Sequence, residues 1–135
     1  MAKLFAWMVL FVWQLNNFKM NIEKIRDICL QFPATSEGIK YGDQLCFMVA
    51  GKVFCSSNIK NLDRINFKVG DEAFEEMCEK QGVIPAPYGG IRFKWVQITD
   101  FDCLTEKEWL FYISESYKLV KAKLPKKVLL GLDSI

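Results

Sequence analysis

Residues 92–124 constrain this chain more than any other stretch. Arg92-Phe93-Lys94-Trp95-Val96-Gln97-Ile98 reads as a strand, and Thr105-Glu106-Lys107-Glu108 then opens a helix that Pro125 stops. The second motif is a capping box: the Thr105 hydroxyl can accept from the amide three residues on, while Glu108 reaches back to the amide of Thr105. Trp109, Tyr112, Ile113, Ser116 and Val120 recur at helical spacing and mark one buried face. A helix with such a stripe needs a surface to lie on, and a strand just upstream supplies a sheet. Trp95 shares its parity with Phe93, which predicts an aromatic pair packed between sheet and helix near Trp109 or Tyr112, with Lys94 on the opposite face.

Upstream, the pattern repeats in parts. Ile22, Ile25, Cys29 and Phe32 form one helical face, ended by Pro33. Residues 34–42 carry Gly38 and Gly42 and read as a loop. Gln44 to Ala50 is apolar on both faces, predicting a covered central strand; Gly51-Lys52 is the expected turn into a return strand, Val53 to Ser57. In Asp63 to Val69 the alternation is clean, with Ile65, Phe67 and Val69 inward and Arg64, Asn66 and Lys68 outward. A short acidic helix follows Gly70, with Asp71 as N-cap candidate and Phe74, Met77 and Cys78 inside. Residues 81–91 form a Gly/Pro-rich loop. The order α-β-β-β-α-β-α predicts an α+β fold: an antiparallel sheet with helices packed on one face.

The chain has 135 residues, 51% of them apolar, enough for a single core. Residues 20–127 form one expected domain, 1–19 an apolar extension and 128–135 a tail. Leu4 to Trp13 is an apolar run of ten, about half of what a membrane span needs. Either Met20 is the true start, or the run is an extra helix or strand that shields an apolar surface or mediates self-association. There are 18 basic and 16 acidic residues, and both excess cations, Lys3 and Lys19, lie in that extension. The body is neutral, so any nucleic-acid footprint must come from segregated charge.

No histidine is present, and the five cysteines have no CxxC spacing. A zinc site or a Cys–His nucleophile therefore has no evident makings, and no catalytic, metal or cofactor residues are assigned. The thiols read as buried hydrophobes of a reduced, cytoplasmic protein.

Several pieces in order carry a family likeness: Met20-Asn21-Ile22-Glu23, Tyr41-Gly42-Asp43-Gln44-Leu45-Cys46-Phe47, Gly51-Lys52-Val53-Phe54, Ile65-Asn66-Phe67-Lys68, Pro85-Ala86-Pro87-Tyr88, Lys94-Trp95, and Ser116-Tyr117 through Pro125-Lys126-Lys127. Together they resemble the MmcQ/YjbR family from about Met20 to Lys127. The resemblance implies a secretion-chaperone-like α+β fold without an assigned catalytic motif, in proteins usually described as candidate DNA binders. Many members place a histidine before the tryptophan; Lys94 stands there instead and removes any acid/base role.

The candidate nucleic-acid residues follow from charge. If their strands are neighbours, Arg64, Lys68, Arg92 and Lys94 form one basic patch suited to phosphates. Lys121, Lys123, Lys126 and Lys127 extend it, although cations at a helix C-terminus also suit the dipole. Tyr88 and Trp95 are the candidate pocket or base-stacking residues. The primary expectation is a non-enzymatic domain binding DNA through these groups. The alternative is a protein-interaction or chaperone-like module that uses the N-terminal segment and the sheet surface.

Overall fold

The computed structural model describes residues 19–133. In chain order the elements are α1 (Ile22–Leu30), β1 (Thr35–Lys40), β2 (Gln44–Val49), β3 (Lys52–Asn58), β4 (Asn61–Lys68), α2 (Asp71–Cys78), β5 (Val83–Pro85), α3 (Gly90–Phe93), β6 (Trp95–Ile98), a 3-10 turn (Phe101–Cys103), α4 (Glu106–Ala122) and α5 (Lys126–Asp133). The strands form one sheet in the order β1-β2-β3-β4-β6-β5, antiparallel at every pairing. The fold is the expected α+β class, with helices on one face.

The core lies between that face and α4. Ile65, Phe67, Val96, Ile98, Trp109 and Ile113 are all fully buried there. Both arms of the predicted capping box form, Glu108 N to Thr105 Oγ1 at 3.1 Å and Thr105 N to Glu108 Oε1 at 3.0 Å. Glu108 also accepts from Lys80 Nζ at 3.0 Å, which ties α4 to the end of α2. Trp109 Nε1 donates to the Phe101 carbonyl at 3.1 Å, so its one polar atom is satisfied inside the core. Tyr117 stacks on Phe32 and donates its hydroxyl to the Pro33 carbonyl at 2.7 Å, joining α4 to the end of α1.

The structure corrects several boundaries. Residues 35–40 are strand β1, not loop. This edge strand has one neighbour, and polar Ser36 and Glu37 suit it because only one side pairs. Glu37 is held by a two-pronged pair with Arg26, both N–O distances being 2.8 Å. The β2–β3 turn is Ala50-Gly51 rather than Gly51-Lys52, and both have positive φ (47° and 82°), the twist a tight hairpin needs. Gly70, not Asp71, is the N-cap of α2; Asp71 lies in its first turn, where its charge still suits the dipole.

Strand β6 begins at Trp95, three residues later than expected. Gly90–Phe93 make a helical turn closed by Lys94 in the left-handed region (φ 59°). Within the Gly/Pro-rich loop, Val83–Pro85 add strand β5 at the far edge. Pro125 ends α4 as expected, but the chain then turns into α5, whose Val128, Leu129 and Leu132 pack on the core. Residues 126–133 are therefore helix, so most of the expected tail, 128–135, continues a helix that begins inside the expected domain. The apolar run Leu4 to Trp13 lies outside the described residues. Among those, no helix is long and apolar enough to cross a membrane.

Candidate binding cleft on the open sheet face

Pairing register builds the site. Cys46 lies opposite Ser56, Ser56 opposite Asn66, and Asn66 opposite Gln97. Residues paired in this way share a face of the sheet, so the four side chains form one row across four strands. Ile65, Phe67, Val96 and Ile98 alternate with this row and point to the helices. The row therefore lies on the face opposite α1, α2 and α4, at the floor of a concavity of about 960 Å³. Pro87, Tyr88, Gly89 and Phe93 form one wall, while Tyr41, Asp43, Asn58 and Lys60 line the other end.

The floor is a continuous hydrogen-bonded chain. Arg64 Nη1 donates to Gln97 Oε1 (3.1 Å), Gln97 Nε2 to Asn66 Oδ1 (2.9 Å), and Asn66 Nδ2 to Ser56 Oγ (3.3 Å). Asp43, at the rim, accepts from Gln44 Nε2 and Asn58 Nδ2, both at 3.3 Å. Gly90 closes the base of the wall. A Cβ there would stand 2.8 Å from the Trp95 carbonyl oxygen and 3.1 Å from the Pro85 carbonyl carbon, so only glycine fits without moving backbone.

Trp95 lines this cleft, against the expectation that it packs near Trp109. It pairs with Lys68 in register and is half-buried, whereas its neighbours Val96 and Ile98 take the inward positions. Of two competing stripes in that strand, the β-branched one fills the core. The tryptophan shares its parity with Gln97. Tyr88 is fully exposed at the tip of its wall, in the left-handed region (φ 62°), and also lines the cleft.

β4 and β6 are neighbours, yet the expected four-cation patch does not assemble. Arg64 and Lys68 share the open face. Lys68 Nζ donates to the Phe93 carbonyl, and burial together with the nearby Lys123 charge holds its ammonium below the ordinary lysine value, against a smaller opposing effect of Asp71. Arg92, on α3, stacks 5.1 Å from the Phe93 ring centre. Lys94 turns away to lie 4.9 Å from the ring centre of Phe74, on α2. The helical turn at Gly90–Phe93 is the cause, since it removes Arg92 from any strand.

The lysine cluster divides as well. Lys121 lies in the last turn of α4 and Lys123 caps it, but Lys126 and Lys127 begin α5, where the helix dipole disfavours cations. Lys123 is electrostatically linked to the open-face cation Lys68. All five cysteines are free thiols, and Cys29, Cys46 and Cys55 are buried. Burial pushes the Cys29, Cys46, Cys78 and Cys103 thiols up, away from the reactive thiolate. Ser56 and Gln97 were not among the sequence candidates. Their signal is parity, visible only once strand pairing is known.

A family model described as YjbR matches residues 30–119, within the span over which the sequence pieces resemble that family. Among solved structures, the chain is similar to the crystal structure of Deinococcus radiodurans protein DR2400, which carries a domain described as DUF419. Identity is 22%, the match covers 85% of this chain and 89% of that one, and the TM-score is 0.73, a likeness of fold. No curated protein matches the chain.

Proposed function

We propose, for a chain that belongs to the YjbR family, a non-enzymatic domain that binds single-stranded nucleic acid in the cleft on its open sheet face. The observation that carries this reading is the composition of one surface: Trp95 and Tyr88 beside a row of amides, with Arg64 at its end. A base stacked on an aromatic ring contributes about 1–3 kcal/mol whatever its identity, and open sheets with aromatic side chains are well suited to extended strands. A duplex is a poorer partner because it needs a contiguous ladder of cations, and Lys94 and Arg92 are turned elsewhere. Lys60 and Arg64 in the cleft, with Lys68 and Lys123 beyond it, are the phosphate contacts of this reading. The absence of histidine from the sequence and the engagement of Asp43 by two amides support binding rather than catalysis. Five free thiols, three of them buried, favour a reducing, cytoplasmic setting.

Fluorescence anisotropy with a single-stranded oligonucleotide and its duplex tests this. Two to four phosphate contacts give a loss of roughly seven- to fiftyfold in single-strand affinity between about 50 and 200 mM salt. Trp95→Ala should weaken binding at least about fivefold, while its half-buried side chain makes the stability cost smaller than the roughly 3–5 kcal/mol of a core tryptophan. Absence of single-strand binding at the lower salt, or tighter binding of duplex, refutes the reading.

Leu110 and Phe111, exposed on the outer side of α4, favour a second reading as a protein-interaction module. It predicts a change of oligomeric state in sedimentation when residues 1–19 are deleted; unchanged sedimentation counts against it.

A further inference from the structure

An arginine has donors and no acceptor. Because Arg64 Nη1 meets the Gln97 side chain at 3.1 Å, that side chain must turn its oxygen toward Arg64 and its nitrogen away. The nitrogen then finds Asn66, which must present its oxygen, and the Asn66 nitrogen in turn meets Ser56 Oγ. One guanidinium therefore fixes the sense of three further side chains. Each carbonyl oxygen in the chain already accepts one bond, and each amide nitrogen keeps a second N–H. Ser56 Oγ accepts from Asn66, which leaves its own hydrogen to give. The floor of the cleft is thus biased toward donation.

Spacing narrows what such a floor accepts. Gln97 and Asn66 lie on neighbouring strands, so their two amide nitrogens are separated by about one strand spacing, roughly 4.7–4.9 Å, with the Asn66 oxygen between them. Two carbonyls flanking a ring N–H suit that separation: each takes one donor, and the ring N–H between them meets the second lone pair of an amide oxygen. Cytosine has its acceptors on adjacent ring positions and carries an amino donor where thymine has a carbonyl. Over this floor the amino group would face another donor, leaving both unpaired.

We propose that the cleft discriminates among bases, taking thymine or uracil in preference to cytosine, with Gln97 and Asn66 as the specificity-determining residues. This inference rests on the single-strand reading of the same cleft. Oligo(dT) and oligo(dC) of equal length, titrated against the full chain at fixed salt, give its test. Both are pyrimidine strands of equal charge, so stacking and phosphate contacts are closely matched between them.

Oligo(dT) should bind about tenfold more tightly, within the range of one well-made base contact. Gln97→Glu replaces the donor by a carboxylate oxygen while keeping shape and the Arg64 contact, and should abolish or reverse the preference. Asn66→Asp should reduce it in the same direction and serves if Gln97→Glu fails to fold by circular dichroism. Equal affinities of the native chain for the two strands overturn the inference and leave single-strand binding standing. No binding of either strand overturns both. A preference that survives in the folded variants refutes the assignment to these two residues.

Discussion

Ser116 is fully buried on α4, and its hydroxyl holds two strands at once. It accepts from the Lys68 backbone amide at 2.9 Å and donates to the Phe54 carbonyl at 2.6 Å. Phe54 sits where the β2–β3 register slips, between the pairs Met48↔Val53 and Phe47↔Cys55, so it has no partner residue on β2. Ser116→Ala removes donor and acceptor together and leaves two main-chain groups without a partner in the core. Each such group costs about 1–3 kcal/mol, the carbonyl toward the lower end, which gives a total of about 2–4 kcal/mol. For a domain of this size, with about 3–6 °C per kcal/mol, the melting temperature should fall by about 6–24 °C. Urea unfolding should show the loss as a lower midpoint at unchanged slope. Ser116→Cys, close in volume and a weak hydrogen-bonding group, should fall between the two. A Ser116→Ala variant within about 0.5 kcal/mol of the native chain would mean that water or relaxed backbone satisfies both groups, and the hydroxyl would then not be the clamp between β3 and β4.

Gly90→Ala should cost about 1–3 kcal/mol through forced displacement of the Pro85 and Trp95 backbones, and should weaken oligonucleotide binding by more than Gly70→Ala, a substitution in open space at a negative φ; equal effects at the two positions would refute the close-packing argument. The Glu108 carboxyl is held below its ordinary value of 4.5, first by the Thr105 amide and then by Lys80. Its folded-state value is the depressed one, so its contribution is present above about pH 4.5 and disappears as pH falls through the folded value. Glu108→Gln keeps an acceptor for Thr105 but cannot ionise. The stability difference between pH 7 and pH 3 should shrink in that variant, with the remainder including Glu37 held by Arg26; an unchanged difference would remove Glu108 from the acid response.

Local sequence carried some elements and not others. β4 was legible because one face is covered and the other is not, which imprints Ile65, Phe67 and Val69 against Arg64, Asn66 and Lys68. The capping box was legible because both of its partners lie within four residues. β1 was hidden: an edge strand needs no apolar alternation, and its Ile39 remains exposed. Trp95 was misplaced because ring size outweighed parity. Its companion at the same parity, Gln97, marked that side as outward, and the Val96–Ile98 pair marked the other as inward. The cleft itself has no local signature. Ser56, Asn66 and Gln97 are 10 and 31 residues apart, and only the antiparallel register brings them into line.

One wall of that cleft hangs from the weakest seam of the sheet. β5 meets β6 through three register pairs, against six between β1 and β2, and has no strand on its other side. Beyond it, the chain is secured to β6 by the Ala86 amide on the Trp95 carbonyl, 2.9 Å, before it rises to Tyr88. Detaching so short an edge exposes far less than unfolding the sheet, so it belongs to the low-energy openings of the native state. In the binding reading, a molecule held against Tyr88 can therefore leave by the peeling of this edge, which uncovers Val83 at the margin of the core while the floor stays in place. On the proposed single-strand reading, changes in β5 that leave every contacting side chain in place are expected to alter how long the nucleic acid stays.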